Sequence, residues 1–347
     1  MTRHDLTIMG AGVFGLSLAY EAIRRGARVQ VWDKRAPGAG SSGGLVGALA
    51  PHVPENWNAK KAFQLDALAM APDFWASVAA CGGQDAGYAR TGRIQPVSEG
   101  KLALAQARAT GAEALWQGLG QWQVLPVDRA PGLVVTSPSG YVVHDTLSAR
   151  VHPRRAVAAL VAAVQALGGA IGQGDKPDGT APVVWATGFE GLANLGADLG
   201  RPAGAGVKGQ ALLLDFAAPD VPQLFVDGLH IVPHADGTVA VGSTSERDFT
   251  DPAGTDAQCD ALHARALAAC PALAAAPVLE RWAGVRPRAA SRAPLMGAWP
   301  GRQGAFVFNG GFKIGFAMAP ALAGVMADLV LEGRDRVPEG FGFPGID

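Results

Sequence analysis

Gly10, Gly12 and Gly15 stand in the order Gly-Ala-Gly-Val-Phe-Gly, directly behind the apolar run Leu6-Thr7-Ile8-Met9. Asp33 closes a second apolar run, Arg28 to Trp32. That spacing suits the grip of a dinucleotide. The first glycine permits a tight turn, the second lets the main chain approach a pyrophosphate, and the third lets helix pack on strand, with Val13 and Phe14 completing the turn. A carboxylate about 20 residues further on accepts hydrogen bonds from a ribose. The helix that must follow the turn brings free N–H groups and the positive end of its dipole to the phosphates.

For these residues to meet, Leu6 to Met9 must be a strand, Leu16 to Arg25 a helix and Arg28 to Trp32 a second strand. The far end of the chain repeats the plan: Phe306-Val307-Phe308 runs into the glycine turn Asn309 to Gly315 and a closing helix from about Pro320 to Leu331. Between them, apolar residues at helical spacing (Phe63, Leu65, Leu68, Phe74, Trp75) predict a core-facing helix over 60–80. Further helices are expected over 102–118, 154–167 and 255–270, and Val183 to Ala186 reads as a strand entering the turn Thr187-Gly188. Residues 210–215, 224–226, 229–232 and 238–242 read as strands. The fold class is therefore α/β: a discontinuous Rossmann-like domain over 1–82, 144–206 and 283–347, enclosing a mainly antiparallel β-sheet substrate domain over 83–143 and 207–282.

The chain has 347 residues, 49% of them apolar, enough for a large core. Its formal net charge of −1 argues against nucleic acid as a partner, whose binders concentrate basic charge on one face. Cys81, Cys259 and Cys270 fall in no metal-ligand spacing and read as free thiols of a cytoplasmic protein; no metal site is expected. Neither a signal peptide ahead of the first strand nor a transmembrane segment is expected, the apolar stretch 317–331 carrying Asp328.

A single complete glycine motif implies a single nucleotide. With FAD, electrons enter from an organic substrate and leave to dioxygen or another acceptor; with NAD, a general acid/base cluster should accompany the nicotinamide, and none stands out. Composition does not separate the two. The stretch 39–52 is built almost entirely of small residues, which lets a flat group lie against backbone.

The order of short motifs resembles the FAD-dependent D-amino acid oxidase superfamily, in particular its glycine oxidase and sarcosine oxidase branch. The resemblance rests on the first βαβ unit, Ser41-Ser42 to Pro51, Arg90-Thr91-Gly92, Val207 to Gln210, Ile231 to Gly237, Val241 to Thr244, Trp282 to Pro287, Ala293 to Gly297 and Gly310 to Gly315. It implies noncovalent FAD, because no cysteine lies near the last turn, where monomeric sarcosine oxidases attach their flavin. It also implies contacts from Ser41 and Ser42 to the pyrophosphate, from Asp33 and Lys34 to the ribose and adenine end, from Gly47, Ala48 and Leu49 to the isoalloxazine, and from Gly311, Phe312, Lys313 and Ile314 to its pyrimidine edge. Gly188 joins this set at the glycine turn that ends its strand.

The implied activity is oxidation of the C–N bond of a small amino acid or secondary amine carboxylate, of the glycine, sarcosine or D-amino acid type. Hydride passes to flavin N5 and the imine hydrolyses. Arg286 and Lys313 match the family's carboxylate-binding positions, as a bidentate grip and a point charge. His230 stands where glycine oxidases carry a substrate-touching tyrosine, and His52 follows the flavin loop; both are candidates for the active site, with core or loop packing as the alternative. The family's β-meander is cut here to Gly172–Pro182, leaving the adenine contact unassigned. Three rivals stay open: a quinone-linked D-amino acid dehydrogenase, an oxidase of a carboxymethylaminomethyl group on modified tRNA, and a flavin-binding protein without turnover. Oligomeric state is not legible. Substrate selectivity is expected to lie around Tyr88–Arg93 and Leu224–His230.

Overall fold

The computed structural model describes residues 4–177 and 179–343. A six-stranded sheet runs in the order 295–298, 305–309, 183–185, 6–9, 29–33, 170–173, all neighbours parallel except the antiparallel pair 295–298 with 305–309. The strand Leu6–Met9 is its centre: the chain leaves it on one side for Val29–Asp33 and later returns on the other with Val183–Trp185. Sheets of this kind bind ligands beyond the carboxyl ends of the strands, where the order reverses. Gly10 is the first residue past that end.

Helices Val13–Arg24, Ala59–Gly82, Pro153–Ala166 and Gly315–Glu332 pack together on this sheet. Their boundaries have local causes. Asn58 accepts from Lys61 N at 3.1 Å to start the second, and Gly83 ends it in the left-handed conformation. Pro153 opens the third, where its missing N–H costs nothing. The last begins at Gly315, ahead of the expected start, and carries Pro320 within its first two turns. Among the described residues it is the one helix long and apolar enough to cross a membrane, and 56% of it is buried inside the protein. Its Asp328, almost fully buried, pairs with Arg25 at 2.7 Å, with Arg334 at 3.1 Å and with Arg336.

A second, eight-stranded sheet runs 278–289, 204–215, 238–242, 229–233, 223–226, 93–96, 141–145, 122–126. It is antiparallel throughout except where Gln223–Val226 meets Arg93–Pro96. The helix Ala257–Ala269 closes one face over Leu212, Leu214, Ile231 and Val241, burying Cys259 and Cys270 as ordinary apolar side chains. Its N-cap is Asp256, which accepts from Gln258 N at 2.9 Å.

The strands Gly204–Asp215 and Val278–Ala289, twelve residues each, run through the expected boundaries at 206/207 and 282/283. Continuous strands thus carry the substrate sheet into contact with the nucleotide end. Trp282 to Pro287, noted above only as a motif, lies inside one of them. A helix over Gly188–Leu199, for which the sequence suggested only a turn, follows Val183–Trp185 and buries Leu192 and Leu195. The short segment 172–182 supplies the end of an edge strand, Ala170–Gln173, paired with Gln30–Asp33.

Candidate active site

One cavity of about 420 Å³ extends from Trp32, Asp33 and Lys34, past Gly10, Gly12 and the Ser41–Gly43 turn, to His230, Arg286 and Lys313. Its first half is made largely of main chain. Gly10 has φ +108°, and a Cβ there would run into the Ala186 carbonyl, because Ala186 N donates to Met9 O at 2.7 Å and brings the neighbouring strand against the turn. A Cβ on Gly15 would overlap the carbonyl oxygen of Gly10, so Gly15 lies beneath the turn and outside the cavity, as helix-on-strand packing requires.

Gly12 caps the helix Val13–Arg24 without a side chain, and Ser42 Oγ accepts from Val13 N at 3.0 Å in its place. Asp33 accepts from Ala11 N at 2.8 Å through Oδ2 and from Arg35 N at 2.9 Å through Oδ1. The carboxylate therefore braces the glycine turn while lining the cavity. Ser41, Gly47, Ala48 and Gly188 also line it. Leu49 does not: it is fully buried and paired with Ala149, because the short strand it belongs to turns its side chain into the core.

The other half is made of side chains. Along Val278–Ala289, buried Ala283, Val285, Pro287 and Ala289 alternate with half-buried Trp282, Gly284, Arg286 and Arg288, the period-two pattern of a strand with two unlike faces. Arg286 donates to Ser243 Oγ at 2.5 Å, Thr244 O at 2.7 Å and Lys208 O at 3.3 Å, and its buried Nε has no partner among the described residues. Beneath it Glu246 is joined to Lys208 at 3.7 Å, to Gln210 at 3.1 Å and to Thr244.

Across from this strand the turn Gly311-Phe312-Lys313 is tied down by Phe312 N donating to Pro287 O at 3.0 Å. Phe312 has φ +41°, a strained conformation for a side-chain-bearing residue. Its ring has Arg286, Arg288 and Lys313 within 5.5–5.8 Å of its centroid. Burial lowers Arg286 to about 10. Burial also lowers Lys313, helped by the charges of Arg286 and Arg288. Of the three cations around this ring Arg286 and Lys313 line the cavity and Arg288 stands behind its wall; with Asp33 and Glu190 the only acids among the described lining residues, this end is a place prepared for an anion.

His230, Lys313 and Ala48 also line a second, smaller hollow of about 190 Å³, with His52, Gln64, Arg93, Phe225 and Ile314. His52 sits there with its N–H donating to Gln64 Oε1 at 2.9 Å, and burial lowers its pKa. His230 packs its ring on Phe225, 4.6 Å between centroids, and its Nδ1 is buried without a partner among the described residues. Burial, reinforced by Arg93 and Lys313, lowers its pKa to about 3, so the imidazole is neutral at physiological pH. Ile314 faces this hollow and not the large cavity.

Four residues in or beside the site were not singled out by the sequence reading, although Arg93 and Phe225 fall within the two stretches, Tyr88–Arg93 and Leu224–His230, expected to govern selectivity. Arg288 was signalled by its i, i+2 relation to Arg286 on one strand. Arg93 was signalled by a charge inside the strand pattern Arg93-Ile94-Gln95. Gln64 reads as an ordinary helix position, and only the fold brings it here. The described residues include no cluster of three or more metal-ligating side chains.

The turn, its capping serine and the cation-lined end fit a flavin dinucleotide, and comparison with known proteins agrees. The glycine oxidase of Geobacillus kaustophilus is 26% identical over 369 residues, covering 94% of this chain and 93% of that one. Its crystal structure superposes with a TM-score of 0.83 at 22% identity and 100% coverage of both chains. Iminodiacetate oxidase from a Chelativorans species gives 0.87 at 22% identity, covering 97% of this chain and 98% of that one. The glycine oxidase of Pseudomonas aeruginosa is 34% identical over 132 residues, a stretch covering 38% of this chain and 36% of that relative. The bifunctional ThiO/ThiG protein of Trichormus variabilis matches 96% of this chain at 27% identity, over 53% of its own length. The profile described as "FAD dependent oxidoreductase" matches residues 5–329. The chain belongs to this family of FAD-dependent oxidoreductases, the D-amino acid oxidase superfamily.

Proposed function

We propose that the protein oxidises the C–N bond of a small amino acid or secondary amine that carries a carboxylate. The observation that carries this reading is the cation cluster at the substrate end: Arg286, Arg288 and Lys313 share Phe312, Arg286 keeps a buried Nε unused, and Asp33 and Glu190 are the only acids among the described residues of the cavity wall. The neighbours named above act, by their names, on glycine and iminodiacetate, both amines bearing carboxylates.

Noncovalent FAD would lie with its pyrophosphate at the helix start Val13 and Ser42, its ribose at Asp33, and its ring system between Gly47-Ala48 and Gly311-Phe312. Bound FAD supplies the two-electron acceptor: the substrate carbon loses hydride, an imine forms, and water hydrolyses it. The chain's own residues bind and orient. Arg286 takes the substrate carboxylate through the edge its protein acceptors leave free, and Lys313 adds a point charge. The same cations disfavour a protonated amine beside them, so the substrate is held in its neutral, oxidisable form. His230, neutral and too weak a base to remove a proton, donates or accepts a hydrogen bond. Fixing the C–H against the acceptor is then the main source of rate.

The test is anaerobic addition of glycine, sarcosine, D-alanine, D-proline and modified tRNA to the yellow holoenzyme, followed by dioxygen or a quinone. Bleaching by a small amino carboxylate is expected; a flavin that only tRNA bleaches, or that nothing bleaches, ends this reading. Acid precipitation should release the flavin into the supernatant, since no cysteine lines the cavity.

A further inference from the structure

Arg93 has a role in no step described so far. It begins the strand Arg93–Pro96, is 5% exposed, and forms part of the wall of the small hollow. Asp145, fully buried and outside that wall, accepts from Arg93 Nε at 2.8 Å. Gln95, with its amide oxygen turned inward, accepts from Nη2 at 3.0 Å. Nη1 makes no hydrogen bond to protein among the described residues. Behind the guanidinium lies Phe225, its ring centroid 5.6 Å away, and Phe225 in turn packs on His230. Asp145 thus holds the guanidinium from behind while its remaining edge is left to the hollow.

No carboxylate lines this hollow, although Arg93 and Lys313 both do and both bear on His230. Since His230, Lys313 and Ala48 belong to both walls, the hollow is a side chamber of the cation-lined end of the large cavity, with Arg286 on one side and Arg93 on the other. A monocarboxylate amine held by Arg286 and Lys313 leaves the edge of this second arginine that Asp145 and Gln95 do not occupy without an acceptor. A guanidinium edge that faces a hollow without a carboxylate among the described residues of its wall is a ready donor to an anion, and charge-assisted hydrogen bonds of this kind are the strong ones.

We infer that Arg93, set by Asp145 and Phe225, is a second carboxylate-binding residue, and that the substrate is an amino or imino dicarboxylate with one acid group on Arg286 and Lys313 and the other on Arg93. This rests on the proposed function for the chemistry, and on the side chamber alone for the second anion.

Two sulfur isosteres that cannot form an imine separate these. The holoenzyme is titrated by calorimetry with thiodiacetate, which carries two carboxylates, and with (methylthio)acetate, which carries one. Thiodiacetate should bind at least about tenfold more tightly, as one charge-assisted contact requires. In Arg93→Gln/Asp145→Asn, which strands no buried charge, the ratio should fall to about one. Equal affinities in the unaltered protein, or an undiminished ratio in the double variant, overturn the assignment, and the first of these needs no variant to fold. Anaerobic bleaching by iminodiacetate and sarcosine is read on the same preparation. A thiodiacetate preference without bleaching leaves the second anion site standing and sinks the oxidase reading, whereas bleaching by sarcosine without any dicarboxylate preference does the reverse.

Discussion

The two ends of the active-site cavity are built by opposite means. At the nucleotide end the ligand-facing surface is main chain: Gly10, Gly12, the first N–H groups of Val13–Arg24 and the small turn Ser41–Gly43, with Asp33 spending both carboxylate oxygens on backbone N–H groups. At the substrate end it is long side chains, Arg286, Lys313, His230 and Arg93, drawn from separate strands and turns, with Arg286 Nε and His230 Nδ1 buried without partners among the described residues. Main chain presents the same donors whatever the sequence around it, provided glycine lets it turn, so the nucleotide end is rigid and general. Side chains reach, rotate and change charge, so the substrate end is the part that a substitution can retune.

That contrast can be broken at several points. The largest effect is expected at the nucleotide end, where a single methyl group should abolish the site: Gly10→Ala meets the Ala186 carbonyl and adopts φ +108° under strain. The flavin-to-protein absorbance ratio should fall at least about tenfold, with a cost of several kcal/mol if the fold survives. A variant that retains full flavin would mean the turn tolerates a side chain.

At the substrate end, losing a charged grip should cost rate and spare the flavin. Arg286→Met should lower kcat/KM for an amino carboxylate by about 10²–10³-fold, and Arg286→Lys should recover only part of it, because the planar fork is lost. Unchanged kinetics with a normal flavin spectrum would remove Arg286 from the carboxylate site. Lys313→Met should cost less, about tenfold, chiefly in KM, since a point charge on a flexible stem is a weaker anchor than a fork. A larger loss than at Arg286 would invert the order of the two anchors.

The smallest effect is on stability with pH. Burial holds His230 at about 3 and His234 at about 4, below the ordinary 6.5. The unfolded chain takes up these protons as the pH falls below about 6.5 while the native state refuses them, so this contribution is complete above about 6.5 and is lost on the way down to 4 and 3. Tm should therefore drop by a few degrees between pH 6.5 and 4.5, and His230→Phe should flatten that drop. A Tm independent of pH over that range would mean the histidines are not buried as neutral groups.

How much of this was legible beforehand follows the same division. The glycine turn, the first helix and Asp33 lie within 24 residues of one another, and each is dictated by a local requirement: a positive φ, a close approach, an N–H to satisfy. Leu49 was misjudged because being next to a cavity-lining stretch does not say which way a strand residue points; its pairing with Ala149 turns it inward. Arg286 and Lys313 were legible only through likeness to a family, since an arginine in the run Arg281 to Arg292 carries no local sign of facing a ligand.

The sequence by itself determined the dinucleotide turn and the alternation of strand and helix around it. These follow from neighbours along the chain. Only the tertiary structure decided that Arg93 and His230, 137 positions apart in numbering, share one chamber with Lys313, and that Asp145 holds the arginine from behind. The physical reason is the pairing of Gln223–Val226 beside Arg93–Pro96, a long-range register set by the burial of Ile94 and Leu224 in the common core.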